Sequence, residues 1–169
     1  MSGEIVNRVA NSKLKTLDLE DFFPEGERRV LDISDWLYQG FILKEKEFRE
    51  SVSQHQWDQY LNQYVAITCS TDAIIPSWAY LLISTYLTPY AKKFVVGDLD
   101  LLENMIFQEI ISTISLEQFK DAPVIIKGCS NKKIPETAYT LMCKRLVPVV
   151  SSLMFGEACS SVPLFKKKK

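Results

Sequence analysis

Several absences narrow the field before any motif is weighed. The 169-residue chain has no Gly-x-Gly-x-x-Gly and no Gly-Lys-Ser/Thr, so a nucleotide held in a glycine-rich phosphate loop is not expected. It has no Gly-x-Ser-x-Gly elbow either, the turn that presents a nucleophilic serine. There is one histidine, His55, and beside Trp57 and Asp58 it reads as a turn residue rather than a catalyst. None of the four cysteines stands in a Cys-x-x-Cys pair. A net charge of −1 supplies no field that would draw nucleic acid or an anionic membrane. The longest apolar runs, such as 79–87, are interrupted by Ser84 and Thr85 and are too short to span a bilayer. The first eight residues have no basic region leading into an apolar core, so no signal peptide is expected. The expected compartment is the cytoplasm, where cysteines are reduced thiols or metal ligands.

What is present is a repeat. Val65-Ala66-Ile67-Thr68-Cys69-Ser70 is echoed by Val124-Ile125-Ile126-Lys127-Gly128-Cys129-Ser130, and both runs end in Cys-Ser. Each leads into the same helix entry, Ile75-Pro76-Ser77-Trp78-Ala79-Tyr80 and Ile134-Pro135-Glu136-Thr137-Ala138-Tyr139. Laid without a gap, 65–98 and 124–157 share ten of 34 residues, where average composition gives about two. This is the mark of a duplicated supersecondary unit.

Strand runs at 64–69, 93–97, 124–127 and 149–155 alternate with helices at 76–87, 99–113 and 135–146, the helices starting at prolines or at the capping residue Asp98. Lys44 to Gln54 adds a helix with Phe48 and Val52 on one face. Val30 to Ile33 and Tyr38 to Leu43 are two β-like runs, of which one or both are strands. The expected fold is α/β: a single domain with a mainly parallel sheet of about five strands, helices on both faces and an internal βαβ repeat. Residues 1–29 read as an arm packed on the domain, 30–165 as the α/β domain and 166–169 as a basic tail.

In a parallel sheet, ligands bind at the carboxyl ends of the strands. Cys69, Cys129 and Cys159 all follow strands, each is followed by Ser, and two helix N-termini point toward that edge. Three readings stay open. The three thiols are candidate ligands for zinc or an iron–sulfur cluster, with Asp98 as a weaker candidate at a strand end. Alternatively Cys129, in its Gly-Cys-Ser turn, is the candidate nucleophile of a thiol-dependent enzyme. Or the protein is a non-catalytic interaction protein whose small cysteines pack at strand ends. Cys143 lies mid-helix beside Met142 and is expected to have no role.

The run from Tyr64 to Tyr80, the run at 124–130 and Phe155-Gly156-Glu157-Ala158-Cys159-Ser160 resemble an uncharacterised bacterial family, domain of unknown function DUF2480. The resemblance covers nearly the whole chain. It implies no activity and no catalytic residues. It implies genes that neighbour those of iron–sulfur cluster assembly, and hence iron–sulfur assembly proteins as partners. With it, the leading expectation is a metal- or iron–sulfur-binding accessory protein with its cysteines at the carboxyl edge of the sheet.

Overall fold

The computed structural model describes residues 13–128, 131–157 and 159–168. Its strands are β1 (Lys15–Leu17), β2 (Arg28–Asp32), β3 (Tyr64–Thr68), β4 (Lys93–Val96), β5 (Pro123–Ile126), β6 (Ser152–Glu157) and β7 (Ser160–Lys166). Its α-helices are α1 (Glu45–Gln54), α2 (Ser77–Leu87), α3 (Leu99–Thr113) and α4 (Glu136–Leu146). The mixed α/β class is therefore as expected. Among the described residues no helix is long and apolar enough to cross a membrane.

The single sheet of about five strands is corrected to two sheets, ordered β2-β3-β4 and β1-β5-β6-β7. The first is wholly parallel; in the second, β7 runs antiparallel to β6. Each copy of the repeat builds a sheet of its own, because each acquires a different outer strand. β2 lies parallel to β3, with Val30 opposite Ala66, and β1 lies parallel to β5, with Thr16 opposite Ile125. The chain correspondingly divides into two units. Residues 24–106 form one; the segment up to Phe23 and residues 107–169 form the other.

Within the first unit, Val65, Ala66 and Ile67 are fully buried, as a continuous apolar run should be when both faces of its strand are covered. Ala79, Ile83 and Leu87 of α2 pack with Phe48 and Val52 of α1, and with Val65 and Ile67. In the second unit, Val124, Ile126, Ala138, Met142, Leu146 and Leu153 form the matching core, joined by Leu17 and Leu19 from the N-terminal segment. Each fully buried Val, Leu, Ile, Phe or Met among them contributes about 1.5–3 kcal/mol of transfer free energy.

The expected pair of parallel βαβ units is present, since β3 pairs parallel with β4 and β5 with β6. The repeat also reaches further upstream than its side chains show. Asn62 and Asp121, 59 residues apart, both take left-handed backbone angles, φ 59° and 53°. The Asn62 N–H donates to the Tyr90 carbonyl and the Asp121 N–H to the Val149 carbonyl, 2.9 Å in each case. Lys92 N–H to Gln63 carbonyl is matched likewise by Ser151 N–H to Ala122 carbonyl. A second echo sits before it. Leu17-Asp18-Leu19-Glu20-Asp21-Phe22 and Leu31-Asp32-Ile33-Ser34-Asp35-Trp36 each end an outer parallel strand and turn into a short 3-10 helix, Leu19–Phe22 and Ser34–Trp36.

Two readings of individual elements change. Tyr38 to Leu43 is no strand: Gln39 and Gly40 take φ 54° and 79°, and the run folds back on itself through a lone Tyr38–Ile42 bridge. β7 was not expected, because Pro163 and a largely exposed pattern disguise it. It runs back along β6 as an antiparallel partner, with Gly156, at φ 118°, opposite Ser161.

Candidate functional site

Two sheets make two carboxyl edges. The expectation that Cys69, Cys129 and Cys159 follow strands of one sheet is corrected accordingly: β3 belongs to one sheet, β5 and β6 to the other. Cys129 and its neighbour Ser130 lie outside the described residues. Among the described residues no group of three or more His, Cys, Asp or Glu side chains is arranged to hold a metal ion.

At the edge of the unit 24–106, Asp32 ends β2. Its Oδ1 accepts the backbone N–H of Ser34 at 3.0 Å and that of Ser70 at 3.1 Å. The Ser34 and Ser70 hydroxyls meet at 3.0 Å. Burial alone would raise the Asp32 carboxyl, but donors from Ser70 and Ser34 outweigh it and hold the pKa down to about 2, from an ordinary 3.8. So strongly acidic a carboxylate is a poor general base; it serves as a clamp between the ends of β2 and β3. Cys69 follows β3, half-buried, with Sγ 3.4 Å from the Thr71 hydroxyl oxygen. That hydroxyl donates to the Gly40 carbonyl at 2.6 Å, tying the loop after β3 to the turn at 38–42. Tyr80, from the first turn of α2, has its hydroxyl pKa raised by burial and by the charge of Cys69. Asp98 lies exposed, and its Oδ1 accepts the Leu101 N–H at 2.8 Å, so it caps α3.

The other edge is built from charged side chains. Asp18 occupies the place of Asp32 and makes the same local turn, Oδ1 accepting the Glu20 N–H at 2.9 Å. Its second oxygen takes the Lys127 ammonium at 2.6 Å, an ion pair that joins the end of β1 to the end of β5. The hydrogen bond to Asp18 and its charge raise the Lys127 pKa, with smaller contributions from Glu157 and Glu20, while desolvation opposes them. Lys127 is thus a held cation and no nucleophile near neutral pH. Glu20 accepts the Asn131 N–H at 2.9 Å, pinning the chain just past Ser130. Gly128 packs against β6: a Cβ built on it would lie 3.0 Å from the Phe155 ring and 3.3 Å from Gly156 Cα.

Glu157 ends β6, in the repeat position of Asp98. No helix follows it, because the chain turns into β7. Its Oε1 is closed off from solvent, and no described residue donates to it. A sealed carboxylate oxygen without a donor is costly and calls for an explanation. The alignment of Glu157 with Asp98 is visible in the sequence, but only the structure shows that no helix follows to give Glu157 the partner Asp98 has. Cys159, two residues on, lies exposed in the turn between β6 and β7.

The remaining residues singled out in the sequence have local roles. His55 Nε2 lies 3.0 Å from the Tyr60 hydroxyl, its ring packs 4.8 Å from Trp57 and 5.1 Å from Trp36, and burial lowers its pKa. Cys143 lines a small apolar groove of about 270 Å³ with Tyr139, Phe155 and Leu164.

No curated protein and no solved structure matches the chain significantly. Residues 3–167 match the family described as protein of unknown function DUF2480, and with nearly its whole length covered the chain belongs to that family.

Proposed function

We propose that the protein is a metal- or iron–sulfur-binding accessory protein whose site is the carboxyl end of the β5–β6 pair. The observation that carries this reading is Glu157, whose Oε1 is sealed from solvent and without a donor among the described residues. It stands two residues before Cys159 and on the strand beside the one that leads into Cys129. Cys129 and Cys159 supply thiolates and Glu157 a carboxylate, a donor set that suits zinc, or iron in a cluster completed by an outside ligand. Bound metal would give the Glu157 Oε1 the partner it lacks among the described residues. Asp18 and Lys127 hold β1 against β5 and so fix the wall of the site. Cys69 and Asp98 stand outside the proposed set, since Cys69 contacts Thr71 and Asp98 caps α3.

Iron–sulfur assembly proteins are the partners this reading calls for, and the cytoplasm, where thiols stay reduced, is its compartment. The test is purification without oxygen, followed by a visible absorption spectrum and elemental analysis. Stoichiometric zinc or iron in the wild type, reduced severalfold in C129S, C159S and E157Q but retained in C69S, is the expected result. A wild-type protein without metal after reconstitution with zinc or with iron and sulfide overturns the proposal.

A further inference from the structure

The two sheets differ in one respect that the repeat makes legible. β6 is covered on its outer side by β7, whereas no described strand pairs with the outer side of β4, its counterpart in the repeat. The direction of the free groups follows from the ladder. Gly97 N–H donates to the Ile67 carbonyl, so residues 95 and 97 bond toward β3 and the backbone groups of Phe94 and Val96 face outward. Their repeat partners, Leu153 and Phe155, are the residues that pair with Phe165 and Val162 of β7.

The other sheet edges are less open. β1 has only three residues, β7 carries Pro163 at its centre, and the terminal charges of β2 are already engaged, Arg28 by Glu103 and Asp32 by the Ser34 and Ser70 N–H groups. β4 opens with Lys93, has neither proline nor bulge, and finishes in Phe94-Val95-Val96, with Val96 48% exposed. An edge of this kind is a template for a further strand.

Charge identifies the strand that fits. Lys92 precedes β4 and Asp98 follows it, both exposed. Lys92 Nζ donates to the uncharged Glu25 carbonyl at 2.7 Å and Asp98 accepts a backbone N–H, so among the described residues neither is in an ion pair. We propose that β4 is a dimerisation edge, which pairs antiparallel with β4 of a second copy about a two-fold axis through Val95. That register places the outward-facing Phe94 of each copy opposite Val96 of the other. It also sets Lys92 of each copy opposite Asp98 of the other, two ion pairs from one strand. The contact is isologous, as a two-fold axis requires, and it closes after two copies because each copy gives its one β4 edge to the other. The two three-stranded sheets become one sheet of six strands.

Light scattering on the full chain across a concentration series tests the pairing. The expected mass rises from 19.4 kDa toward about twice that value as concentration increases. Val96→Pro removes an outward N–H and leaves the β3–β4 hydrogen bonds in place, so it is expected to hold the protein monomeric with an unchanged circular-dichroism spectrum. Two charge reversals examine the register and do not depend on the proline variant folding. K92E and D98K are each expected to weaken the dimer at least tenfold, since each sets like charges face to face. Mixed in equal amounts, they are expected to restore it, because each facing pair is then of opposite sign. A wild type that stays monomeric throughout, or a dimer indifferent to both Val96→Pro and the two reversals, overturns the proposal.

Discussion

The Lys127 ammonium lies 2.6 Å from the Asp18 carboxylate, and through this contact a strand near the start of the chain is fastened to one that begins more than a hundred residues later. Removing it tests the link between the N-terminal segment and the proposed site. Because the Lys127 pKa is raised, its contribution is present in full below the ordinary value of 10.5 and is lost as pH climbs through the higher folded value. Urea midpoints of the wild type and Lys127→Gln should therefore differ at pH 8 and converge only as pH rises past the ordinary 10.5 and through the higher folded value. Midpoints that differ equally at both ends would show that the side chain acts by packing instead.

Asp32 predicts the opposite limb. Its folded pKa of about 2 lies below the ordinary 3.8, so its contribution is full at neutral pH and is lost as pH falls through that window. Asp32→Asn keeps an oxygen acceptor but no charge. It is expected to cost about 1 kcal/mol at pH 7, discounted for partial exposure, and to flatten the fall in stability between pH 5 and 2. Denaturant titrations of both proteins across that range decide it.

Gly156 and Gly97 occupy equivalent places, yet they should respond differently to alanine. Both take positive φ, 118° and 150°. A Cβ at 156 would lie 2.7 Å from the Ser160 backbone carbonyl, whereas at 97 the obstacle, at 2.6 Å, is the end of the Leu101 side chain, which can turn away. Gly156→Ala is expected to be the more destabilising by at least about 1 kcal/mol, with both variants carrying the backbone strain of that region. Equal losses by equilibrium denaturation would contradict the placement of β7 against β6.

Ile83 and Met142 are the same position in the two copies, and each is fully buried. Truncation of either to alanine should cost about 2–5 kcal/mol, the range for a large aliphatic side chain removed from a close-packed core. A loss below about 1 kcal/mol at either site would mean that its core collapses around the gap.

Much of this was legible in the residues. The βαβ repeat stood out because buried parallel strands demand continuous apolar runs, and Val65 to Ile67 and Val124 to Ile126 comply. Phe48 and Val52 announced the buried face of α1. What escaped was pairing. Nothing in a strand's own sequence says which sheet it joins, and β1 and β2 gave each repeat copy its separate partner. The Leu-Asp echo at 17–18 and 31–32 was present, but it is short and falls in polar surroundings. β7 was hidden by its proline. Of the candidate ligands, Asp98 reads as a helix cap from its place just before α3, whereas the unmet oxygen of Glu157 depends on which element follows β6, and periodicity does not reveal that.

The order in which the chain leaves the ribosome gives the two units unlike histories. Residues 24–106 are contiguous, so all three strands of their sheet are available once that span has emerged. The other sheet must wait. Lys15 pairs with Val124 and Ser152 with Lys166, so β1 stays unpaired until β5 has been made, and the hairpin closes only once Lys166 has emerged. Loop closure over such a separation is slow, and strands left waiting are exposed to wrong partners. The first unit is thus the one that can fold early, while the second depends on the nascent chain keeping β1 free until β5, β6 and β7 arrive.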